Sequence, residues 1–147
     1  MSGLEAGAAI VGVVAFGLVV AEKLTDFCDS VRDAPDDVEA ITLEVFTLVN
    51  FLSILRRQVV RGKPVLSPQG TQNASSISRR LTSSFKAIEK LLPEANSHGD
   101  MTPGQRVKWH FKKKKCSMLL TRLMACRMDI MLLSQEINTL LLVGDSR

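Results

Sequence analysis

Residues Val38 to Val59 read VEAITLEVFTLVNFLSILRRQV, and their apolar side chains repeat at intervals of three and four positions. A seven-residue repeat of this kind places apolar side chains along one face of an α-helix, where they can pack against other helices. The predicted helix-packing face consists of Val38, Ile41, Val45, Leu48, Leu52, Leu55 and Val59. The segment is therefore predicted to be one helix of a bundle.

Breaks on either side of this stretch divide the chain into four predicted helices. Pro35 and the carboxylates of residues 33–37 favour a helix start, since proline and acidic residues suit the first turn. Proline, glycine and small polar residues predict loops over 62–73 and 93–100. The predicted helices cover about residues 3–31, 36–61, 74–92 and 103–143 of a single domain, residues 1–147. The fold class is all-α, a four- to five-helix bundle.

The C-terminal helix is predicted to be long. Thr102-Pro103-Gly104-Gln105 matches a capping box, and Gly144 suits the residue that terminates a helix. The β-prone stretch from Val107 to Phe111 leaves room for a kink near His110.

The N-terminal helix is rich in glycine and apolar from Ala6 to Ala21, a run of sixteen residues without charge. As a helix, this run spans roughly 24 Å, which is short of the hydrocarbon core of a bilayer at about 30 Å. A secretory signal would have basic residues before its apolar run, whereas the charge ahead of this one is Glu5. The helix needs cover on most sides, from lipid or from partner helices.

Charge is distributed unevenly along the chain. Residues 1–50 contain nine acidic and two basic residues, a net charge of −7, whereas residues 51–147 contain six acidic and seventeen basic residues, a net charge of +11. The basic part can meet anionic lipid, nucleic acid or the acidic part of the same chain. The sequence leaves these alternatives open.

Residues suited to catalysis are few. The two histidines, His98 and His110, have no convergent nucleophile or carboxylate in the sequence pattern, and no phosphate-binding glycine loop is present. Cys28, Cys116 and Cys126 lack the spacing of a zinc site and are expected to be buried apolar residues in a reducing compartment. The chain is thus predicted not to be an enzyme and to need no cofactor, metal or small-molecule substrate.

A dense basic cluster lies at the start of the C-terminal helix. Its predicted lipid-contact residues are Arg106, Lys108, Trp109, Lys112, Lys113, Lys114 and Lys115. Each cation near an anionic bilayer contributes about 1 kcal/mol, and an interfacial Trp adds an anchor. A solvated helix face and non-specific nucleic-acid binding are the alternatives, and no specific nucleic acid is expected.

Three segments follow one another in a distinctive order: Met1–Glu5 with the Gly/Ala/Val/Leu-rich helix that follows it, Val31–Asp37 before the leucine-rich helix, and Arg106–Lys115 at the entry to the last helix. In this order they resemble the HeLo-like N-terminal domains of fungal STAND (NACHT-associated) proteins. The likeness covers nearly the whole chain. The chain departs from the family's usual architecture in that its 147 residues contain neither the NTPase nor the repeats that normally follow.

The resemblance implies a cell-death or heterokaryon-incompatibility effector of innate immunity. In that family the N-terminal helix is exposed on activation and enters the plasma membrane, so the implied membrane-insertion residues are Leu4, Ile10, Val11, Val13, Val14, Phe16, Leu18, Val19 and Val20. The implied partners are anionic lipids, a second copy of the chain or a STAND receptor, and the implied location is the cytoplasm with conditional recruitment to the membrane. The heptads of residues 38–59 support an alternative, a cytosolic helical adaptor or oligomerisation module.

Overall fold

Four α-helices account for nearly all of the residues that the computed structural model describes, which are 3–30, 36–62, 67–92 and 103–145. The helices are α1 (Gly3–Ser30), α2 (Asp36–Gly62), α3 (Pro68–Leu91) and α4 (Pro103–Asp145). Those ranges contain no strand and no fifth helix, so the all-α class is confirmed. The backbone of α4 is helical without a break through residues 107–111, where the sequence left room for a kink.

The helices form a bundle in which α1 and α4 occupy diagonally opposite corners. Within the described ranges the backbones of α1 and α4 each lie close to those of α2 and α3, whereas the backbones of the pairs α1/α4 and α2/α3 do not approach each other closely. Consecutive helices α1 and α2 are therefore neighbours, as are α3 and α4. In contrast, the chain passes from α2 to the opposite corner to begin α3.

Cross-helix contacts show that consecutive helices run in opposite directions. Cys28 near the end of α1 lies beside Thr42 in the first half of α2. Ser67 at the start of α3 donates a hydrogen bond to Glu136 late in α4. Arg80, further along α3, pairs with Asp129, which comes earlier in α4. The result is an up-down-up-down bundle, in which one apolar face of each helix is turned towards a common core.

The core is built from side chains spaced alternately three and four residues apart. In α2 the buried residues Val38, Ile41, Val45, Leu48, Leu52 and Leu55 are all at most 1% exposed, and the side chain of Val59 lies outside the described set. The same spacing recurs in α4 at Cys116, Leu119, Leu123, Cys126, Ile130, Leu133 and Ile137. The adjacent helices α2 and α4 thus each turn one heptad stripe towards the core, because a seven-residue repeat returns to nearly the same side of a helix.

Helix α3 begins at Pro68, six residues before the predicted start at residue 74. Ser67 is its N-cap: the Ser67 hydroxyl accepts a hydrogen bond from the Gly70 amide at 3.0 Å and donates one to Glu136 Oε1 at 2.7 Å. Proline at the first helical position needs no amide partner, so Pro68 starts the helix instead of preventing it. Gly70 leaves room for the Glu136 carboxylate, which would lie 2.7 Å from an added Cβ.

The far end of α4 also differs from prediction. The helix extends to Asp145, so Gly144 lies within its last turn and is not the residue that follows it. At the other end, Thr102 of the predicted capping box lies outside the described residues.

Candidate functional site

Clusters of metal-binding or acid-base side chains do not occur in the described part of the chain, where no group of three or more His, Cys, Asp or Glu residues converges. The side chains of His98 and His110 lie outside that part. The features that remain as candidates for function are the surface of α1, the basic cluster, the exposed apolar residues and the grooves between helices.

The three cysteines are free thiols, of which Cys116 and Cys126 are buried and Cys28 is partly buried. Burial raises the pKa of Cys116 to about 11 and also raises the pKa of Cys28 and Cys126. Cys28 Sγ lies 3.7 Å from Thr42 Oγ1, a weak polar contact between α1 and α2. All three side chains are therefore protonated at neutral pH, and a protonated thiol is a poor nucleophile.

The predicted membrane-insertion residues of α1 divide between core and surface. Ile10, Val13, Val14 and Val20 are buried, at most 5% exposed. Phe16 is partly buried, and its ring meets the ring of Phe85 edge-on at 5.7 Å between centroids. The outward residues are Val11, Leu18 and Val19, and the side chain of Leu4 lies outside the described set.

The outward face of α1 carries no charge from Gly7 to Ala21. Its exposed positions in this range are Ala8, Val11, Gly12, Ala15, Leu18 and Val19, and the first exposed charge is Glu22. Val11, Leu18 and Val19 are 42%, 52% and 47% exposed. A bundle helix normally faces water with polar residues, so this face is unusual for a helix that remains solvated.

Two helices are long and apolar enough to cross a membrane, by length and composition alone. They are residues 7–29 of α1, with a mean hydropathy of 1.9, and residues 36–58 of α2, with a mean hydropathy of 1.8. In both, well under half of the span is buried within the bundle. Since buried core helices pass the same test, length and composition do not distinguish a membrane segment from core here.

Polar attachments of α1 to its neighbours lie in its C-terminal part. Lys23 forms an ion pair with Glu89 of α3, and Cys28 contacts Thr42 of α2. Among the described residues, side chains 7–21 make no hydrogen bond or ion pair with another helix. The N-terminal two-thirds of α1 is thus held by apolar packing, which includes a close approach of Gly17 to Val49 and Phe85.

The basic cluster is only partly available to a ligand. Lys112 is half-buried, and its ammonium donates a hydrogen bond to the carbonyl oxygen of Leu91 at 3.1 Å, near the C-terminus of α3. Lysine at this position stabilises unpaired carbonyls at a helix end. Lys113, Lys114 and Lys115 are exposed, whereas the side chains of Arg106, Lys108 and Trp109 lie outside the described set. Three of the seven predicted lipid-contact residues are therefore seen facing water.

Exposed apolar side chains on α4 and α2 form a feature that sequence reasoning missed. All four described methionines are on α4 and at least 39% exposed, and Leu132 beside them is 62% exposed. On α2, Leu43 is 71% exposed and Ile54 is 45% exposed. The available signal was the spacing of these residues, which places them away from the heptad stripes.

Comparisons with known proteins reveal no matching family, no curated relative and no similar solved structure. The likeness to HeLo-like domains therefore depends on the three sequence segments that carry it.

Proposed function

We propose that the chain is a non-enzymatic, membrane-targeting effector domain of the HeLo-like, cell-death or incompatibility type. The observation that carries this proposal is the uncharged outward face of α1 from Gly7 to Ala21. A helix that leaves the bundle and enters lipid must be apolar on all sides, because a charge inside a bilayer costs about 3 kcal/mol. Residues 7–21 of α1 meet that condition on both the buried and the exposed side.

The mechanism is a two-state release of α1. At rest, its buried side packs against α2 and α3; on activation, the apolar N-terminal part leaves the bundle and enters the bilayer. Val11, Leu18 and Val19 make the first contact because they already face outward. Lipid covers both faces of the released helix, whereas the bundle covers only one, and release is favourable when this gain exceeds the cost of exposing the sides of α2 and α3 that α1 covered.

The position of the lysines supports a hinge at the C-terminal end of α1. The ion pair of Lys23 with Glu89 and the bond of Lys112 to Leu91 place that end of α1 and the start of the lysine run at the same end of α3. Exposed Lys113, Lys114 and Lys115 can then hold anionic head groups at about 1 kcal/mol each. A helix that pivots there reaches the same bilayer as the lysines.

Vesicle flotation tests the proposal with a matched pair of substitutions. Leu18→Glu places a carboxylate on the outward face of α1, and we expect it to reduce binding to vesicles rich in phosphatidylserine by more than tenfold, since insertion of a carboxylate costs about 3 kcal/mol. Replacement of Lys113, Lys114 and Lys115 by glutamate should reduce binding further.

The control is Leu43→Glu, the same substitution on α2. The side chain of Leu43 is 71% exposed, more than that of Leu18, which is 52% exposed. Neither variant should unfold, because at least half of each side chain is exposed, and circular dichroism checks this. Equal flotation of wild type and Leu18→Glu, or failure of the wild type to bind anionic vesicles, would contradict the proposal.

A second candidate function, a cytosolic module that associates with a second copy of itself, is favoured by the exposed apolar residues of α2 and α4. The α4 surface of Met124, Met128 and Leu132 lies on the helix that carries exposed lysines, whereas Leu43 lies on the helix that begins with carboxylates. Apolar contact with charge of opposite sign favours pairing of these two faces between copies. Methionine adapts well to such surfaces.

Sedimentation without lipid tests this candidate. If it holds, the apparent mass rises with protein concentration and falls at high salt, and Met128→Lys shifts the association by tenfold or more in concentration. Ala8→Lys, at an exposed position of α1 away from both faces, should leave association unchanged. A monomer at all concentrations contradicts self-association and leaves the membrane proposal intact.

A further inference from the structure

An open groove of about 430 Å³ between α3 and α4 gathers arginine and serine side chains. The polar residues that line it are Ser76, Arg79, Arg80, Ser83, Ser84 and Arg122. No carboxylate lines this groove, and its size falls within the range of small-molecule sites, roughly 300 to 1,000 Å³. We refer to it as the arginine groove.

The positive charge of the arginine groove is only partly neutralised. Arg80 Nη2 lies 2.6 Å from Asp129 Oδ2, an ion pair between α3 and α4. Arg79 and Arg122 make no hydrogen bond or ion pair with any other residue that the structure describes, and both are exposed. Two guanidinium groups from different helices therefore line one groove with no acidic partner, an arrangement that an anion would stabilise.

The floor of the groove is neutral and carries a hydroxyl. Ser84 and Cys126 are 2% and 1% exposed. Burial raises the pKa of the Cys126 thiol, which remains protonated and adds no negative charge. Ser76 and Ser83 add hydroxyl donors at the rim, so neutral donors surround the cations.

A second groove adjoins the first across α3. Arg79 and Ser83 line both grooves, and the second adds Thr82 and Lys86. The outward side of α3 is therefore basic and rich in hydroxyls over more than two turns, whereas its core side is mostly apolar. Serine and threonine hydroxyls beside arginine are the donor set that phosphate oxygens use in proteins.

We propose that the arginine groove binds a phosphorylated anion with at least two negative charges, either free in solution or as a lipid head group. Arg79 from α3 and Arg122 from α4 each offer a planar pair of donors that matches two phosphate oxygens, and the serine hydroxyls donate to the oxygens that remain. The site is distinct from the proposed insertion of α1, because α1 supplies no residue to this groove.

Calorimetric titration of the full chain with inorganic pyrophosphate, at low salt, tests the site. We expect saturable binding that Arg79→Gln and Arg122→Gln each weaken about tenfold, since a charge-assisted hydrogen bond contributes about 1.5 kcal/mol or more. Arg57→Gln is the control: it removes another exposed guanidinium, from α2 and away from the groove, and should leave the affinity within twofold. Exposure of all three side chains means that the variants should fold.

Vesicles separate the two sources of the phosphate. If the ligand is a lipid head group, vesicles with phosphatidic acid bind in a manner that depends on Arg79 and Arg122, and those with phosphatidylserine bind less well. If the ligand is a soluble anion, pyrophosphate binding depends on Arg79 and Arg122, whereas vesicle binding does not depend on them. The proposal is overturned if pyrophosphate and phosphatidic acid both fail to bind, or if Arg57→Gln weakens binding as much as the groove variants do.

The same titration keeps this site distinct from the membrane proposal. Leu18→Glu should leave the pyrophosphate affinity unchanged even where it abolishes flotation. Loss of pyrophosphate binding in Leu18→Glu would place the anion elsewhere and contradict the arginine groove.

Discussion

Replacement of Gly17 by leucine is expected to lower the free energy of unfolding by about 3 kcal/mol, through overpacking between three helices. A Cβ at residue 17 would lie 2.9 Å from Val49 Cγ2 and 3.3 Å from Phe85 Cε2. Val49 is β-branched and nearly fully buried, and Phe85 is fully buried, so neither can turn aside easily. Gly17 is thus a point where α1 approaches both α2 and α3 closely.

Gly12 provides the control on the same helix. A Cβ there would meet nothing within 4 Å, so Gly12→Ala should gain the helix propensity of alanine, about 0.5 to 1 kcal/mol, without strain. Urea denaturation followed by circular dichroism measures both variants. If the two substitutions change stability in the same direction, the close packing of α1 at Gly17 is wrong.

The same pair bears on the release of α1. Overpacking at residue 17 exists only while α1 is in the bundle, so Gly17→Leu should favour the released helix and increase binding to anionic vesicles. The propensity gain of Gly12→Ala is present in the bundle and in lipid alike, so its binding should stay near the wild-type level. A loss of vesicle binding in Gly17→Leu would argue against release as the step that precedes insertion.

The fold class was accessible from the sequence because α2 displays its periodicity openly. Val38 to Leu55 repeats without interruption, and its core-facing residues are apolar while Glu39, Asn50 and Arg57 lie elsewhere. In α4 the same heptad was hidden. Its outward positions hold Met124, Met128 and Leu132, so apolar residues occur on both sides and the stripe does not stand out.

The start of α3 was predicted too late because the same residues have two possible meanings, a loop or the first turn of a helix. Pro68 and Gly70 are typical of loops, yet after a serine the same proline is a favourable first helical residue. What decides between these meanings is Glu136, which reaches Ser67 from another helix. A contact between residues 69 positions apart is not legible in local sequence.

The sequence also does not predict which helices are neighbours in the bundle. The arginine groove exists because α3 lies beside α4, and the division of α1 into buried and outward residues depends on its position beside α2 and α3. Periodicity predicts that a helix has an apolar side. It does not predict which helices are neighbours, so the membrane-insertion residues could be named as a set but not separated.

Arg127→Met is expected to cost about 2 to 3 kcal/mol of stability, because it leaves a carboxylate stranded between α2 and α4. Arg127 Nε lies 2.9 Å from Glu44 Oε1, and the side chain of Glu44 is 12% exposed. Neither atom has a hydrogen-bond partner among the described residues, so their contact is an ion pair without hydrogen-bond alignment. A buried charge that loses its partner retains its full desolvation penalty.

Substitution of the other partner of this ion pair should cost much less stability. Glu44→Gln leaves Arg127, which is 32% exposed and can turn its guanidinium towards water, so we expect a loss of about 1 kcal/mol or less. The double variant Glu44→Leu with Arg127→Met removes both charges and should lie within about 1 kcal/mol of the wild type. Equal costs for the two single substitutions, measured by urea denaturation, would show that Glu44 is solvated.

The α2–α4 contact remains when α1 leaves, so Arg127→Met should weaken the bundle before and after release alike. It should therefore leave the relative effect of Leu18→Glu on vesicle binding unchanged.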